Sequence, residues 1–416
     1  MKYQLAGSHF WPVHNKRFEF LVGTVSFFLF LVLTGITMLS DLRHYHQANF
    51  ISPLEQLHAR PPWTLSELSV GGFAHHHIPE DAHEFVSRLN EVLIVCHPDW
   101  RGIRSASINQ GEPVLEVPGI LNAKHRDLLT QFLIDAQITK LVINGVPPQF
   151  IPFAQHLHQY APHIEIYFIF HGTLVQHALI SQEATLVDQL IDGVKQGYIA
   201  KLGFVKTGLA PFISTLGIPA YTLSNFQPPI IPTNNIKLSS VDGHVHIGVF
   251  ADDGWIKNFI VQVAAACMVE HAIIHVIQLP KARYFEHCQN QIIEHGVMPR
   301  AKFLDLMAQM DITLYISLSE CYPMTVIESL AAGVPCITSD TSSIFDADPV
   351  LKDQLVVRAH DNPTAIHRHI QDVLTNYQAI LSRQNYHLRW LNELAHVQWK
   401  FFLGRSSSIT PPPYLN

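Results

Sequence analysis

"SECYPMTVIESLAAGVPCITSD", residues 319–340, combines three kinds of local signal. The run before it, "ITLYISL" (312–318), is apolar, β-branched and of strand length. "MTVIESLAAG" (324–333) has helical spacing, and "PCITSD" (335–340) reads as the next strand. Strand, helix and strand in this order form a βαβ unit, and such units build parallel sheets. Pro323 marks the helix start, where a missing N–H is tolerated, and the small polar Ser319 precedes it in the loop. Gly333 and Pro335 turn the chain into the next strand. Within this apolar stretch stand two carboxylates eight positions apart: Glu320 in the loop and Glu328 inside the helix.

The same alternation extends in both directions. Upstream, "EVLIVC" (91–96) and "PVLEVPG" read as strands, followed by the helical "HRDLLTQFLIDAQ", the strand "KLVINGV", the helix "FAQHLHQYA" and the strand "IEIYFIFHG". "SQEATLVDQLIDGVKQG" is an amphipathic helix, and "IAKLGFVKTGLAPFISTLGI" a strand, a turn and a helix. "NFQPPIIPTNNIKLSS" (225–240), dense in Pro and Asn, has the composition of a hinge. Beyond it come "HVHIGVF" (strand), "NFIVQVAAACMV" (helix), "AIIHVIQL" (strand), and "YFEHCQNQIIEHG" and "RAKFLDLMAQM" (both helical). The last helical stretch places Trp390, Leu394, Val397 and Phe401 on one face. The expected layout is an N-terminal segment (1–45), a connector (46–90), a first βα domain (91–230), a second (240–380), a C-terminal helix (381–405) and a disordered tail (406–416). Two parallel-sheet domains joined by a hinge imply a cleft, with chemistry in the loops after the strands.

Composition narrows the function. At 416 residues the chain exceeds one ordinary core, and 48% hydrophobic with 15% charged residues excludes a disordered protein. A net charge of −7 gives no electrostatic case for nucleic acid. Five scattered cysteines without CxxC spacing suit reduced thiols. The 27 histidines include His75–His77 and His244/His246, but no Cys or carboxylate partner sits at metal-ligand spacing.

"FLVGTVSFFLFLVLTGITML" (20–39) contains no charge and matches the length of a membrane-spanning helix. Lys2, Lys16 and Arg17 place the N-terminus in the cytoplasm, which would put the rest outside. The lack of any N-x-S/T sequon without Pro at the middle position and the thiol pattern point the other way, to membrane association with the βα domains in the cytoplasm.

The residues Ser317, Glu320, Pro323, Glu328, Ala331, Gly333 and Pro335 fall in register with the E-x7-E region of retaining glycosyltransferases, and the stretch resembles that family. The resemblance implies an α/β GT-B fold of two Rossmann-like domains with a C-terminal crossover helix, the first on the acceptor side and the second binding a nucleotide-sugar. It implies a hexosyltransferase-type activity (EC 2.4) with retention, and no metal or other cofactor. By resemblance Glu320 contacts the donor sugar and Glu328 the ribose hydroxyls. Tyr322-Pro323-Met324 replaces the Gly-rich turn frequent in the family. The residues around the helix start, Ser319, Met324 and Thr325, belong to the same donor site.

The resemblance also calls for a basic residue in "GVFADDGWIKNF" (248–259), which Lys257 supplies, with Asn258 beside it; position 252, where the family commonly has Arg, is Asp. A cation there offsets charge building on a departing diphosphate. Lys206, in "GFVKTGLAP", is placed to face the phosphates. His171, closing the strand "IEIYFIF", is placed to bond the donor sugar or orient the acceptor. Arg101, Gly102 and Arg104, in the loop after the first strand, are the acceptor-side candidates. The expected partners are a nucleotide-sugar donor and a glycan or lipid-linked acceptor, in cell-envelope polysaccharide synthesis. A nucleotide-sugar epimerase of the same fold and a non-catalytic membrane-tethered binding protein are the alternatives.

Overall fold

The computed structural model describes residues 89–117, 121–177, 181–233, 236–406 and 408–409. The apolar run 20–39, the His75–His77 run, nearly all of the connector and most of the tail lie outside the described residues. Among those described, no helix is long and apolar enough to cross a membrane.

The first domain runs β1 (Val92–Cys96), α1 (Arg101–Asn109), β2 (Val114–Glu116), α2 (Ala123–Asp135), β3 (Lys140–Asn144), α3 (Phe150–Tyr160), β4 (Glu165–Phe170), α4 (Leu174–His177), α5 (Ser181–Lys195), β5 (Lys201–Phe204), α6 (Leu209–Ser214) and β6 (Ala220–Thr222). Its strands form one parallel sheet in the order β2-β1-β3-β4-β5-β6. Helices cover both faces, so β1, β3 and β4 are almost wholly apolar rather than alternating. The second domain runs α7 (Ser239–Asp242), β7 (Val245–Val249), α8 (Phe259–Cys267), β8 (Ala272–Val276), β9 (Gln291–Glu294), α9 (Arg300–Ala308), β10 (Ile312–Tyr315), α10 (Met324–Ala331), β11 (Cys336–Ser339), α11 (Pro349–Leu355), β12 (Val356–Val357) and α12 (Pro363–Thr375). Its parallel sheet has the order β12-β11-β10-β7-β8-β9.

Each sheet grows to one side and then reverses. The reversal lies between β1 and β3 in the first domain and between β7 and β10 in the second. Loops leave such a switch point in opposite directions and open a crevice beyond the strand ends. The stretch quoted first supplies the loop after β10. Its helix, α10, ends as the sequence signals: Gly333 adopts φ +71, its N–H reaches Leu330 O (3.1 Å), and Val334 N–H reaches Ser329 O (2.9 Å). A side chain resists that left-handed turn, which is why glycine stands there.

A final helix, α13 (Tyr377–Phe402), starts on the second domain and ends on the first. Leu388, Leu391 and Phe402 belong to one buried apolar cluster that runs through both domains, and Phe402 packs on Tyr167 (ring centroids 5.3 Å) and Tyr221 (5.6 Å) of the first sheet. Lys201 Nζ caps the helix end by donating to Phe402 O at 2.7 Å.

Four expectations are corrected. "YFEHCQNQIIEHG" is not a helix: Arg283–His287 is a short 3₁₀ turn, and Gln291–Glu294 is β9, because β8 offers this segment an edge to pair with. "HPDWRGIRSAS" is a loop only as far as Trp100, so Arg101, Gly102 and Arg104 occupy the first turn of α1. The cysteines are not all reduced: Cys267 at the end of α8 and Cys288 before β9 form a disulfide (Cα–Cα 5.9 Å), while Cys96, Cys321 and Cys336 remain thiols. Sequence spacing gave no sign of that pairing, because the two segments meet only through the sheet. The buried stripe of α13 is also rotated from the expected one, with Gln384, His387, Leu391, Ala395, Gln398, Trp399 and Phe402 inward and Trp390, Leu394, Val397 and Phe401 at its flank.

Phe402→Ala removes the ring through which α13 grips the first sheet and is expected to cost about 3–5 kcal/mol, the usual range for a fully buried aromatic. Urea unfolding of wild type and variant measures it.

Candidate active site

At the second domain's switch point, the loop after β7 and the loop after β10 are drawn together by Leu318 N–H donating to Ile256 O at 2.7 Å. The first loop carries a 3₁₀ turn, Trp255–Lys257, and Asn258 begins α8 in a left-handed conformation (φ 53). The Asn258 side-chain amide donates to His360 O at 2.5 Å, which holds the turn from which Lys257 projects. Lys257 Nζ donates to the Tyr315 hydroxyl at 2.9 Å and pairs with Glu320 Oε1. Tyr315 in turn donates to the same Glu320 oxygen at 2.9 Å. Burial, reinforced by the adjacent Glu320 carboxylate, pushes the Tyr315 hydroxyl pKa well above its ordinary value, so Tyr315 serves as a donor. A cation, a carboxylate and a hydroxyl therefore converge where the fold leaves its crevice.

The first domain holds every residue of the loop Ser319–Tyr322. Thr173 Oγ1 and Ser319 Oγ are 2.8 Å apart. Lys206 Nζ donates to Glu320 O (2.9 Å) and to Thr341 O. The Cys321 thiol lies 2.8 Å from His171 O, and the Asn225 amide donates to Tyr322 O at 2.8 Å. His171 projects its ring to Asn144, with Nε2 2.6 Å from Oδ1, and Asn144 donates on to Ser107 Oγ at 2.8 Å. Asn144 closes β3, so this chain sits at the first domain's own switch point.

Beside this cluster lies a cavity of about 600 Å³ between the domains. Two helices face it with their N-terminal ends: Arg101, Gly102 and Arg104 from the first turn of α1, and Met324, Thr325 and, one turn on, Glu328 from α10. Phe250, Ile277 and Phe303 supply an apolar wall. Arg104 is tied to Glu116 at 2.6 Å. Free backbone N–H groups at the start of α10 and its dipole favour an anion there. Glu328 is buried, and burial pushes its pKa up; Arg300, donating to Oε1 from Nε (3.2 Å) and Nη2 (2.9 Å), opposes that.

The sequence candidates thus fall into two adjoining groups. Glu320, Lys257, Ser319, His171 and Lys206 gather around the loop after β10. Glu328, Met324, Thr325, Arg101, Gly102 and Arg104 line the cavity. The side chains of Asn258 and Lys206 are taken up by backbone carbonyls. Sequence reading passed over Tyr315, Thr173, Asn144 and Arg300. Arg300 had a usable signal, since it follows Pro299 at a helix start beyond a strand. Tyr315 had none, because it reads as a core strand residue.

His246 Nδ1 lies 2.8 Å from His275 Nε2, and His275 Nδ1 2.8 Å from His295 Nε2. The chain uses opposite nitrogens of His275, so its three rings share no ligand point, and among the described residues no group of three or more His, Cys, Asp or Glu is arranged to hold a metal ion.

Residues 278–387, most of the second domain, match the family Glycosyl transferases group 1. No curated protein matches the chain in sequence. Among solved structures, HepE from Anabaena in complex with UDP superposes with a TM-score of 0.58 at 12% identity, covering 76% of this chain and 100% of its own. The apo structure of OtsA gives 0.52 at 11% identity (77% and 100%), and sucrose-phosphate synthase from Thermosynechococcus elongatus 0.51 at 12% (68% and 77%). The fold is that of the GT-B glycosyltransferases, and the family match covers residues 278–387, the part of the second domain that carries Glu320 and Glu328. Together these matches support nucleotide-sugar glycosyl transfer.

His171 provides a test of the site's electrostatics. Burial lowers its pKa from 6.5 to about 4, so the ring is neutral at physiological pH. Its contribution to stability is complete above pH 6.5 and is lost as the pH falls toward 4. NMR of the ring carbons should show no titration of His171 between about pH 6 and 8, where an unperturbed histidine changes charge.

Proposed function

We propose that this chain transfers a hexose from a nucleotide-sugar donor to a glycan or lipid-linked acceptor with retention, using Glu320 and Lys257 at the donor sugar and diphosphate. The observation that carries the reading is the Lys257–Glu320–Tyr315 cluster at the switch point, beside a cavity faced by the start of α10.

In this reading the nucleotide occupies the cavity, its ribose hydroxyls donate to Glu328, and its phosphates meet the N–H groups of Met324 and Thr325. Lys257 turns from Glu320 to the diphosphate as charge develops on it, and Glu320 then accepts hydrogen bonds from the sugar. The bond from the anomeric carbon to the diphosphate oxygen breaks, a bond to the acceptor oxygen forms on the same face, and the acceptor proton leaves with the diphosphate. Domain closure positions these groups, and positioning with electrostatics supplies the rate. His171, neutral, orients the acceptor; Arg101, Gly102 and Arg104 form the acceptor-side wall. No resident metal or cofactor is assigned a role. The uncharged run 20–39 favours a membrane-borne acceptor, as in cell-envelope polysaccharide assembly.

HepE has been solved with UDP and with UDP-glucose, which makes uridine donors the first to test. Incubation with UDP-, GDP- and CMP-sugars should release nucleoside diphosphate slowly from one donor. A 2-epimerised sugar as the product would identify an epimerase instead. Glu320→Gln is expected to lower turnover by about 100-fold or more while changing nucleotide affinity little, the signature of an interaction made mainly in the transition state. Unchanged turnover in Glu320→Gln removes the catalytic assignment.

A further inference from the structure

The linker between the domains is pinned at one residue, Gln227, which is 2% exposed. Its backbone is held by α13: Gln227 N–H donates to Asn392 Oδ1 (3.0 Å), and Asn392 Nδ2 donates to Gln227 O (2.7 Å). Its side-chain oxygen accepts from both domains at once. Asn109, the last residue of α1, donates at 2.9 Å, and Arg300 Nη2, at the start of α9, donates at 3.0 Å. Asn109 also donates to Phe226 O at 2.8 Å. First domain, second domain and crossover helix therefore meet on one amide.

Arg300 connects this junction to the cavity. The same Nη2 that reaches Gln227 reaches Glu328 Oε1, and Nε reaches that oxygen as well. Both bonds fall on Oε1, and among the described residues no hydrogen bond reaches Oε2. Arg300 and Glu328 line the cavity, whereas Gln227 does not. A planar guanidinium with several fixed donors suits a bridge between two acceptors in a way that an ammonium does not. The other charged side chains lining the cavity are Asp99, Arg101 and Arg104, all from the first domain.

We propose that Arg300 is a positioning residue that fixes the Glu328 carboxylate in the cavity wall and, through Gln227, ties it to the interdomain linker, so that filling of the cavity and closure of the domains are coupled. The inference rests on the donor-site reading for what fills the cavity, but the network itself is nucleotide-independent. A group that bonds Glu328 competes for or reinforces the Arg300 contact, and any shift of Arg300 is felt at Gln227, where Asn109 and Asn392 report it to the first domain and to α13. Coupling of this kind requires a shared element that both ends bias, and the Gln227 amide is that element.

Two measurements on the full chain test it. Binding of UDP by calorimetry to wild type, Arg300→Met, Gln227→Leu and the double variant should show about tenfold or greater weakening in Arg300→Met, the scale of a hydrogen bond to a charged group. Gln227→Leu should weaken binding several-fold without touching the cavity, and the double variant should be no weaker than Arg300→Met alone. Arg300→Lys should restore part of the affinity in a Gln227-independent manner. Independently, a 13C-NMR titration of Glu328 without nucleotide should move to higher pH in Arg300→Met, since the cation opposing its burial is gone.

An unchanged Glu328 titration, or fully additive effects of the two variants, overturns the network. If UDP and other nucleoside diphosphates fail to bind wild type while the Glu328 titration shifts as expected, the donor-site reading falls, and Arg300 keeps its positioning role.

Discussion

The clasp on Ser319–Tyr322 is the constraint on which the rest of the structure depends. The loop leaves the second domain's switch point, and each of its residues is bonded by a group of the first domain: Thr173, Lys206, the backbone carbonyl of His171, and Asn225. Most of these bonds involve a backbone carbonyl. Backbone groups cannot rotate away as side chains do, so satisfying them fixes the loop's path as well as its contacts. That path sets where the Glu320 side chain emerges, and it delivers the chain to Pro323 in position to start α10. The separation of the domains and the geometry of the site are thus one fact.

This arrangement explains why the chemistry sits on connectors while the sheets stay apolar. A carboxylate in the middle of β1 would face helices on both sides and find no partner, whereas Glu116, at the end of the edge strand β2, is paired by Arg104. The loops beyond β7 and β10 leave the sheet in opposite directions, and in the gap a lysine, a tyrosine and a glutamate can meet with their charges offset. Asn258 shows the cost of that geometry, since it holds a left-handed backbone that asparagine tolerates better than most residues. The hydrogen bond its side-chain amide donates to His360 O stabilises the turn that presents Lys257.

How much of this was legible in the sequence depended on whether the signal was local. The βαβ grammar was local: strands such as Val92–Cys96 are solid apolar runs, and α10 carries its own start at Pro323 and its own stop at Gly333. The hinge was visible in its prolines. Glu320 and Glu328 stood out as two carboxylates within an apolar stretch, and Lys257 through the family resemblance. What failed was what only tertiary contact decides. Gln291–Glu294 has no strong preference of its own and becomes a strand because β8 offers it an edge. Cys267 and Cys288 meet because α8 and the turn before β9 lie side by side. Gln227 looked like one more polar residue in a linker, and only the fold reveals that Asn109, Arg300 and Asn392 converge on it.

The two glutamates share one short stretch, yet the protein gives them different cations, and the difference follows from what each site must do. Glu320 faces Lys257, a compact point charge on a flexible stem that can leave one anion for another without breaking a fixed array of bonds. That suits a centre where charge migrates from a bound group to a departing one. Glu328 faces Arg300, whose planar donors hold a carboxylate in one orientation and keep a second bond to Gln227. A buried carboxylate with only a mobile partner would tend to take up a proton, and a protonated group presents one acceptor fewer to a hydroxyl ligand. Exchanging the two cations would therefore loosen the site that needs rigidity and freeze the one that needs movement. The spacing of the glutamates sets where the charges lie, and the choice of lysine for one and arginine for the other sets which of them can move.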